Sequence, residues 1–459
     1  MYASRDSTIV AIATPPGRGG VGIVRISGPF AAQIAAAMFR SPRPDFAGFK
    51  PYRLHRGQVL DLDDVPVDDC LAVAMPGPGS FTGEDAAEFQ CHGAPAVLRA
   101  VLYSAVSRGA RPAEAGEFTF RAFLNGRLDL TQAEAVAELI AAPTRAGAAL
   151  AVGKLSGALG ERLRALRQRL SDLRAGVCLA VDFPEEDVEC LSPQDFTAGV
   201  SAAAAEVRSF LEAAERARCW REGALVVMAG RVNAGKSSLM NALLGRERAI
   251  VCELPGTTRD YLEEGLDLDG LPVRLVDTAG LRDSYDAAEM AGMERCRELM
   301  ADADLVLLMV ARSWPLDPED RDPAWSLPPA RTLVVLNKCD LTDAGAGDWF
   351  RRAGFSCVEI SARTGKGLGA LARTIREQVA GREAEPGPDE LAPNVRQAEA
   401  LRRALDELDA LAADILDSVP YDLLGVRLET ACSHLAAITG EVTSQSVLND
   451  IFSRFCIGK

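Results

Sequence analysis

Residues 230–237 read Gly-Arg-Val-Asn-Ala-Gly-Lys-Ser, which matches the phosphate-loop pattern G-x-x-x-x-G-K-[ST], and they lie in the middle of the chain. Such a loop needs a strand before it and a helix after it, because its backbone N–H groups must be held facing a phosphate. Leu225–Ala229 and Lys236–Leu244 fit those two elements. More than two hundred residues precede the loop, so we expect a nucleotide-binding domain attached to other domains.

Length and composition restrict the other possibilities. On a prior of about 150 residues per domain, the 459 residues predict about three domains. The net charge of −15 argues against broad, non-specific nucleic-acid binding, which needs a basic face. Eleven cysteines without a C-x-x-C pair, and only three histidines, argue against a structural zinc site and a disulfide framework, and they favour a cytoplasmic protein. The apolar runs are strand-sized, well below the ~20 residues that span a membrane.

Residues 1–125 alternate short β-rich runs with Gly/Pro turns, which predicts an α+β domain. The predicted strands include Thr8–Ala13, Gly22–Ser27 and Cys70–Ala74, and Ala94–Ser107 is predicted to be a helix.

The composition changes at residue 126, and the region 126–217 is predicted to be helical. Leu155–Ala175 carries Leu at helical spacing. Thr131–Glu134 is interpreted as a capping box, and Ser192 is interpreted as the N-cap of a further helix because Pro193 follows it.

Residues 218–380 alternate strands with helices, which predicts a doubly wound, Ras-like α/β domain. Residues 381–459 begin with a Glu/Pro/Gly-rich linker, Gly381–Asn394, and then resemble 126–217 in composition. The simplest organisation is a multidomain α/β and α protein in which the α/β domain is inserted into a discontinuous all-α domain. Further strands of the inserted domain are predicted at Val273–Val276, Leu305–Val310, Thr332–Leu336 and Cys357–Ile360.

Three further motifs follow the phosphate loop in the order that guanine-nucleotide sites require. Asp277–Gly280 reads Asp-Thr-Ala-Gly, Asn337–Asp340 reads Asn-Lys-Cys-Asp, and Ser361–Arg363 reads Ser-Ala-Arg. Asp340 can accept hydrogen bonds from guanine N1 and N2, and a site built on such bonds rejects the analogue that lacks them by roughly 10⁴–10⁵. We therefore predict GTP rather than ATP. The predicted GTP-binding residues are Asn233, Ala234, Gly235, Lys236, Ser237, Ser238, Thr257, Thr258, Asp277, Gly280, Asn337, Lys338, Asp340, Ser361, Ala362 and Arg363, with Ser237 at Mg²⁺.

The residue after Gly280 departs from the Ras-like pattern. Ras-like switches place a Gln there to orient the attacking water, whereas Leu281 cannot form hydrogen bonds through its side chain. Either the protein hydrolyses GTP poorly, or another group orients the water and neutralises the developing charge.

Oxygen ligands for a monovalent cation are one candidate for that group. Thr257, Thr258 and Asn233 can supply such oxygens, and Glu289 is an acid downstream of the Asp-Thr-Ala-Gly motif. The alternative is an ordinary turn at Asn233 and a solvent-facing Glu289.

Several motifs together identify a family. The chain closely resembles the MnmE (TrmE) family of tRNA-modification GTPases, over its whole length. The resemblance is carried by the four nucleotide motifs, by Thr14–Ser27, Phe81–Asp85, Gly116–Phe118 and Arg121–Leu130, by Pro255-Gly-Thr-Thr-Arg-Asp260, and by the final Phe455-Cys-Ile-Gly-Lys459.

The resemblance implies an N-terminal folate-binding domain that dimerises, a discontinuous helical domain and an inserted G domain. It implies that a flavin-dependent partner, MnmG (GidA), acts with the protein to add an aminomethyl or carboxymethylaminomethyl group to carbon 5 of the wobble uridine of tRNA. The one-carbon unit would come from 5-formyl-tetrahydrofolate or a related tetrahydrofolate. GTP hydrolysis would be stimulated by K⁺ in a homodimer.

The same resemblance assigns roles to individual residues. Glu289 and Cys456 are the implied catalytic residues: Glu289 would orient the attacking water, and Cys456 would be important for tRNA modification. From the residues alone, a cysteine in the last turn is more often a bystander, and its role as nucleophile, ligand or packing residue stays open. The implied ligands are Thr258 with Ser237 for Mg²⁺, Asn233, Thr257 and Arg259 for K⁺ (partly through the backbone), and Arg25, Glu88, Arg127 and Lys459 for the folate.

Two other functions compete with this reading. A ribosome-assembly GTPase would also fit Leu281, but it has no evident need for the N-terminal Gly/Arg block or the Phe-Cys-Ile-Gly-Lys end. A folate-binding module with a vestigial switch conflicts with the intact nucleotide motifs.

Overall fold

The chain divides into two compact units in the computed structural model. The first consists of Met1–Ala137, Leu155–Ala203 and Asp406–Lys459, and the second of Glu138–Lys154 and Ala204–Leu405. The structure describes residues 6–182, 192–246, 248–250, 262–277, 297–316, 327–381, 385–387, 389–417 and 419–459. No helix in those ranges is long and apolar enough to cross a membrane.

The N-terminal part of the first unit is built on a seven-stranded sheet with the spatial order β3-β4-β5-β6-β2-β1-β7. Neighbouring strands pair antiparallel, except β1 with β7. The predicted α+β organisation of this region is therefore confirmed. The strands are β1 Ile9–Ile12, β2 Gly19–Ser27, β3 Phe39–Arg40, β4 His55–Leu60, β5 Pro66–Met75, β6 Ala86–Gly93 and β7 Arg111–Pro112.

The two faces of this sheet carry different side chains, because successive side chains of a strand point to opposite faces. On β2, Val24 and Ile26 are fully buried in the main core with Phe89 of β6. Arg25 and Ser27 therefore point to the opposite face. The helices of this region are α1 Ala31–Ala37, α2 Pro95–Ser107, α3 Glu117–Leu124 and α4 Leu130–Ala141.

The start of α4 corrects one prediction. The expected capping box at Thr131–Glu134 is wrong by two residues, because the helix begins at Leu130 and Thr131 lies inside its first turn. Asp129 Oδ1 accepts a hydrogen bond from Gln132 N (3.0 Å), and Gln132 Oε1 accepts one from Asp129 N (2.9 Å). This is the same reciprocal device with Asp as the cap.

The remaining helices also follow the predicted pattern, except that one predicted helix begins three residues later than expected. The predicted helix Leu155–Ala175 is interrupted at Gly157, which has φ +86°, so α5 ends at Leu155 and α6 begins at Ala158. The predicted start at Ser192 is confirmed, because its Oγ accepts from Asp195 N at 3.1 Å. These helices are α5 Arg145–Leu155, α6 Ala158–Asp182, α7 Pro193–Glu222, α11 Val395–Leu416, α12 Tyr421–Thr439 and α13 Gln445–Ser453.

Within the first unit, α6 packs against α12 although the two helices are far apart in the sequence. Arg167 of α6 forms an ion pair with Glu441, just beyond the end of α12, at 2.5 Å. Cys432 of α12 lies 3.8 Å from the Ser171 hydroxyl of α6. Leu159, Leu163 and Leu428 are buried.

The second unit contains another seven-stranded sheet, with the order β14-β13-β12-β8-β11-β10-β9. The pairs β11-β8, β8-β12, β12-β13 and β13-β14 are parallel, whereas β10 is antiparallel to both neighbours. Its strands and helices are β8 Ala224–Gly230, α8 Lys236–Arg246, β9 Arg248–Ile250, β10 Leu262–Leu268, β11 Leu271–Asp277, β12 Leu305–Ala311, β13 Thr332–Asn337, α9 Ala346–Arg352, β14 Ser356–Glu359 and α10 Leu368–Ala380.

The centre of this sheet confirms the predicted doubly wound α/β arrangement. Every residue of β12 is buried, as expected for a parallel strand covered on both faces. The chain order reverses at β8, whose neighbours are β11 and β12. Sheets of this kind bind ligands at the carboxyl ends of the strands beside such a switch point.

Candidate functional site

The phosphate-loop sequence lies between β8 and α8, at the switch point of the second sheet. Gly230 has φ +132° and Gly235 has φ +102°, so both need glycine. A Cβ on Gly230 would collide with the carbonyl of Met309 in β12, and one on Gly235 would collide with the Asn337 side chain. The two glycines therefore permit the close approach of this loop to the neighbouring strand ends.

Polar side chains inside the loop are already oriented. The Lys236 ammonium donates to the carbonyls of Gly230 (2.9 Å) and Arg231 (3.1 Å). The Ser237 hydroxyl lies 3.0 Å from Oδ2 of Asp277, which is buried at the end of β11. A hydroxyl and a carboxylate oxygen in contact are a ligand pair that suits Mg²⁺.

Asn337 joins three of the predicted motifs. Its Nδ2 donates to the Ala234 carbonyl (2.9 Å), and its Oδ1 accepts from the backbone N–H groups of Lys338 (2.8 Å) and Ala362 (3.0 Å). Asn337 is 3% exposed, so these bonds are shielded from water. The side chain that sequence reasoning assigned to the nucleotide thus holds the phosphate loop together with the two loops predicted to contact the base, Asn337–Asp340 and Ser361–Arg363.

Asp340 is the acidic residue of the loop Asn337–Asp340, called the base loop below, and its surroundings favour the ionised form. A hydrogen bond with Ser361, with smaller effects of a backbone hydrogen bond and of the charge of Arg363, lowers the pKa of Asp340 below its ordinary value. Arg363 Nε lies 4.0 Å from Asp340 Oδ2. Ser361 itself is fully buried, next to the end of β14. An ionised Asp340 is an acceptor for two guanine N–H donors.

Some of the remaining predicted nucleotide residues lie inside the described residues and others lie outside them. Asn233 is exposed with φ +62°, and Ser238 is exposed in the first turn of α8. Sequence reasoning missed Trp314, whose indole ring lies against Lys338 and Arg231. The predicted residues Thr257, Thr258, Arg259, Gly280 and Glu289, and the atypical Leu281, lie outside the described residues.

A second candidate site is a cavity of about 230 Å³ on the face of the N-terminal sheet opposite its main core. Three of the four predicted folate residues line it: Arg25, Glu88 and Lys459. The other lining residues are Ser27, Met75, Phe81, Thr82, Ala86, Phe118 and Val136.

Strand register brings the charged groups of this cavity together. Arg25 and Glu88 are direct partners of the antiparallel pair β2-β6, and Arg25 Nε lies 2.7 Å from Glu88 Oε1. The Arg25 guanidinium also lies 5.8 Å from the Phe118 ring centroid and 3.4 Å from the Gly458 carbonyl. The Lys459 carbonyl accepts from Phe118 N (3.2 Å), which fixes the last residues beside α3.

A buried polar network supports the floor of the cavity. The Ser27 hydroxyl lies 2.7 Å from Thr82 Oγ1 and donates to Glu84 Oε2 at 2.8 Å. Glu84 in turn accepts from Arg121, which also donates to Glu117 at 3.0 Å. The β2 alternation that exposes Arg25 could have identified Ser27, but nothing in the sequence indicated Thr82.

Glu117 remains charged in this network despite being 1% exposed. Burial alone would raise its pKa, but hydrogen bonds from Arg111, from the Glu114 backbone and from Arg121 together lower the pKa below its ordinary value. Arg121 is itself 4% exposed at its side chain. The pair is therefore a buried, hydrogen-bonded charge cluster.

Two predicted residues are not part of the cavity lining. Arg127 is exposed after α3, and its backbone N–H donates to the Ala122 carbonyl at 2.8 Å. Cys456 is also exposed; its carbonyl accepts from Gly116 N at 3.5 Å. The predicted roles of both side chains stay predictions.

Family models match almost the whole chain. The model of the MnmE helical domain matches residues 130–456, and the model of the N-terminus of the GTP-binding protein TrmE matches residues 8–127.

Curated relatives match at full length. The chain is 54% identical, over 99% of both chains, to the tRNA modification GTPase MnmE of Nitratidesulfovibrio vulgaris (strain DP4). It is 45% identical to the protein of that name from Lawsonia intracellularis, over 98% of this chain and 99% of that one. It is 44% identical to the one from Symbiobacterium thermophilum, over 99% of this chain and all of that one.

Proposed function

Because this chain belongs to the MnmE family of tRNA modification GTPases, we propose that its GTP hydrolysis drives the modification of carbon 5 of the wobble uridine in tRNA. The chain is a GTPase with a role in tRNA modification. The added group would be aminomethyl or carboxymethylaminomethyl. The observation that carries the proposal is that one chain combines a pre-assembled guanine-nucleotide site with a cavity whose charges suit a tetrahydrofolate.

The nucleotide site supports positioning and charge stabilisation, which account for most of the catalysis of phosphoryl transfer. Lys236 is held next to the loop carbonyls and would reach the β- and γ-phosphates. Ser237 and Asp277 would hold Mg²⁺, which when bound neutralises charge on the phosphate oxygens. Asp340 would select guanine through its ionised carboxylate.

We also propose that K⁺ stimulates hydrolysis. The support is Leu281 in the sequence, which cannot orient water through its side chain, together with Asn233, which is exposed at the phosphate loop in a left-handed conformation. Amide and hydroxyl oxygens of Asn233 and Thr257, with the Arg259 backbone, would bind the ion, and Thr258 would join Ser237 at Mg²⁺. Glu289 would orient the attacking water.

Turnover at equal ionic strength in KCl and in NaCl tests the cation proposal. We expect faster turnover in K⁺, and equal rates would contradict it. Glu289→Ala should bind GTP normally but lose most hydrolysis; unchanged turnover would remove Glu289 from this role.

The N-terminal cavity is proposed to bind 5-formyl-tetrahydrofolate or a related tetrahydrofolate. Arg25 and Lys459 can form charge-assisted hydrogen bonds with the glutamyl carboxylates, and Glu88 can accept hydrogen bonds from the pterin ring. Phe118 supplies an aromatic wall. Arg127 would join from outside the present lining.

The partners are proposed from the family and the charge of the chain. A homodimer would act with the flavoprotein MnmG (GidA) on tRNA in the cytoplasm, and Cys456 would take part in the modification step. Because the net charge is −15, MnmG would supply much of the basic surface for tRNA. Tight, weakly salt-dependent tRNA binding by this chain alone would contradict that division of labour.

Nucleoside analysis of tRNA from a deletion strain tests the proposed function. We expect the C5-substituted wobble uridines to be lost, to return with the wild-type gene, and not to return with Lys236→Ala or Glu88→Gln. Normal wobble uridines in the deletion strain would overturn the proposal and favour an assembly GTPase.

A further inference from the structure

Trp314 lies just beyond the carboxyl end of β12, the strand between β8 and β13 in the second sheet. The phosphate loop follows β8, and the Asn-Lys-Cys-Asp base loop follows β13. A residue at this end of β12 therefore lies between the loops for the phosphates and for the base.

Backbone hydrogen bonds hold Trp314 in this position. Its N–H donates to the Ala311 carbonyl at 3.0 Å, closing a turn at the end of β12. The preceding Arg312 donates its N–H to the Asn337 carbonyl (2.9 Å) and accepts from Ala344 N (3.0 Å). The turn is thus tied to the base loop rather than projecting away from it.

The indole ring contacts one cation from each loop. The Lys338 ammonium lies 4.1 Å from the ring centroid, and the Arg231 guanidinium carbon lies 5.9 Å from it. Both distances are within the ~6 Å range of cation–π attraction, for which Trp is the best aromatic partner. Lys338 has φ +64°, an uncommon conformation for a lysine, so the base loop is held in one particular geometry.

Packing into the core does not account for this residue. Trp314 is half-buried, and the apolar clusters formed by the described residues do not include it. Trp349, by contrast, packs against the core cluster of β12 and β13 and meets Phe350 edge-on, with ring centroids 5.0 Å apart. Trp314 and Trp349, which both belong to the second unit, therefore have different surroundings, one ionic and one apolar.

We propose that Trp314 is a positioning residue of the guanine-nucleotide site. It holds the Lys338 side chain so that its methylene stem lies beside the purine ring, and it links this lysine to Arg231 of the phosphate loop. Because its ring contacts are with Lys338 and Arg231, Trp314 acts on nucleotide affinity and not on the chemical step. Asp340, which would recognise the exocyclic amino group of guanine, is not among those contacts, so Trp314 acts equally on guanine and hypoxanthine nucleotides.

Calorimetric titration with GDP tests the proposal on the full-length protein. Trp314→Ala should raise the Kd for GDP about tenfold, equivalent to about 1.4 kcal/mol. Trp314→Phe keeps an aromatic face and should stay within about threefold of wild type. The KM for GTP should rise with the Kd while kcat stays within about twofold. Trp349→Ala is the matched control, and it should lower the melting temperature without weakening GDP binding.

Two further measurements separate positioning from general loosening of the fold. Trp314→Ala should weaken the binding of inosine diphosphate by the same factor as it weakens the binding of GDP. In a double-mutant cycle, Trp314→Ala should cost little affinity once Lys338→Ala is present, because both act through the same side chain. Trp314→Leu, which keeps a larger apolar side chain than alanine but has no π-face, replaces the alanine variant if the latter does not fold. A GDP affinity within twofold of wild type in Trp314→Ala or Trp314→Leu, or full additivity with Lys338→Ala, would overturn the proposal.

Discussion

The nucleotide site takes its side chains from short motifs at neighbouring strand ends, whereas the N-terminal cavity takes Arg25, Glu88 and Lys459 from three distant parts of the chain. In the first case each motif carries its own geometry: a glycine turn, an acid after a strand, an Asn-Lys-Cys-Asp loop. In the second case strand register and the docking of the final residues create the geometry. Sites of the first kind can be recognised in a sequence from spacing, and sites of the second kind need a family resemblance or a structure.

The two sites should be separable by mutation, and Lys236→Ala should give the largest effect. Loss of its phosphate contacts should lower GTP turnover by roughly 10²–10³-fold, the usual effect of removing one pre-organised donor. Binding of 5-formyl-tetrahydrofolate should stay unchanged. The exposed Lys366→Ala is the charge-matched control for turnover. If Lys236→Ala abolished folate binding as well, the two regions would not be independent.

Asp340→Asn sharpens the same comparison within the nucleotide site. It removes the carboxylate that accepts two guanine N–H groups, and because a hydrogen bond to a charged group contributes about 1.5–3 kcal/mol, affinity for GTP should fall about a hundredfold or more. Xanthosine triphosphate should gain affinity, because its 2-oxo group can accept from the asparagine. Competition binding of the two nucleotides measures this. An unchanged preference would mean that Asp340 does not read the base.

Glu88→Gln tests the cavity rather than the nucleotide site. Replacing the charged acceptor should weaken 5-formyl-tetrahydrofolate binding by about 10- to 100-fold, since one charge-assisted hydrogen bond contributes about 1.5–3 kcal/mol. Basal GTP turnover should not change. Asp68→Asn, which removes the carboxylate charge beside the exposed His92 and lies on the neighbouring strand β5, is a control for charge loss. Equal folate affinity in wild type and Glu88→Gln would exclude the predicted contact.

Glu117→Gln should have the smallest effect, and it depends on pH. The lowered pKa of Glu117 means that its carboxylate stabilises the fold at pH values above its ordinary pKa of 4.5, and that this contribution disappears as the pH falls through the lower native value. At pH 7 the free energy of unfolding of the variant should be about 1–3 kcal/mol lower than that of wild type, which is the typical cost of leaving a buried partner unpaired. Chemical denaturation at pH 7 and at pH 4 measures the difference, which should shrink at the lower pH. A constant difference would show that the pKa of Glu117 is not lowered.

Sequence reasoning predicted the α+β class of the N-terminal region, the doubly wound class of the second sheet and the positions of several helices, because alternation, buried runs and capping residues are local signals. It misplaced the start of α4 because Thr131 and Asp129 both fit the capping pattern, and only the hydrogen bonds distinguish them. It also placed the start of the helix Leu155–Ala175 three residues too early, because the leucine spacing does not show that Gly157 leaves the helical conformation.

The residues that sequence reasoning missed share a physical reason. Trp314 has no motif around it, and its contacts with Arg231 and Lys338 exist only because β12 lies between β8 and β13. Thr82 reaches the cavity floor from a loop, where no periodicity indicates the direction of a side chain. Asn337 was recognised, but not as the link between Ala234 and Ala362.

The sequence by itself determined that the chain binds GTP through a doubly wound domain. Glycines, a lysine and an aspartate at fixed spacings within short motifs are sufficient to form the contacts with the phosphates and the base. The tertiary structure decided which side chains meet across the chain: Arg25 with Glu88, Ser237 with Asp277, and Trp314 with both nucleotide loops. These contacts depend on strand order and register, which arise from burying two sheets and which no short stretch of sequence contains.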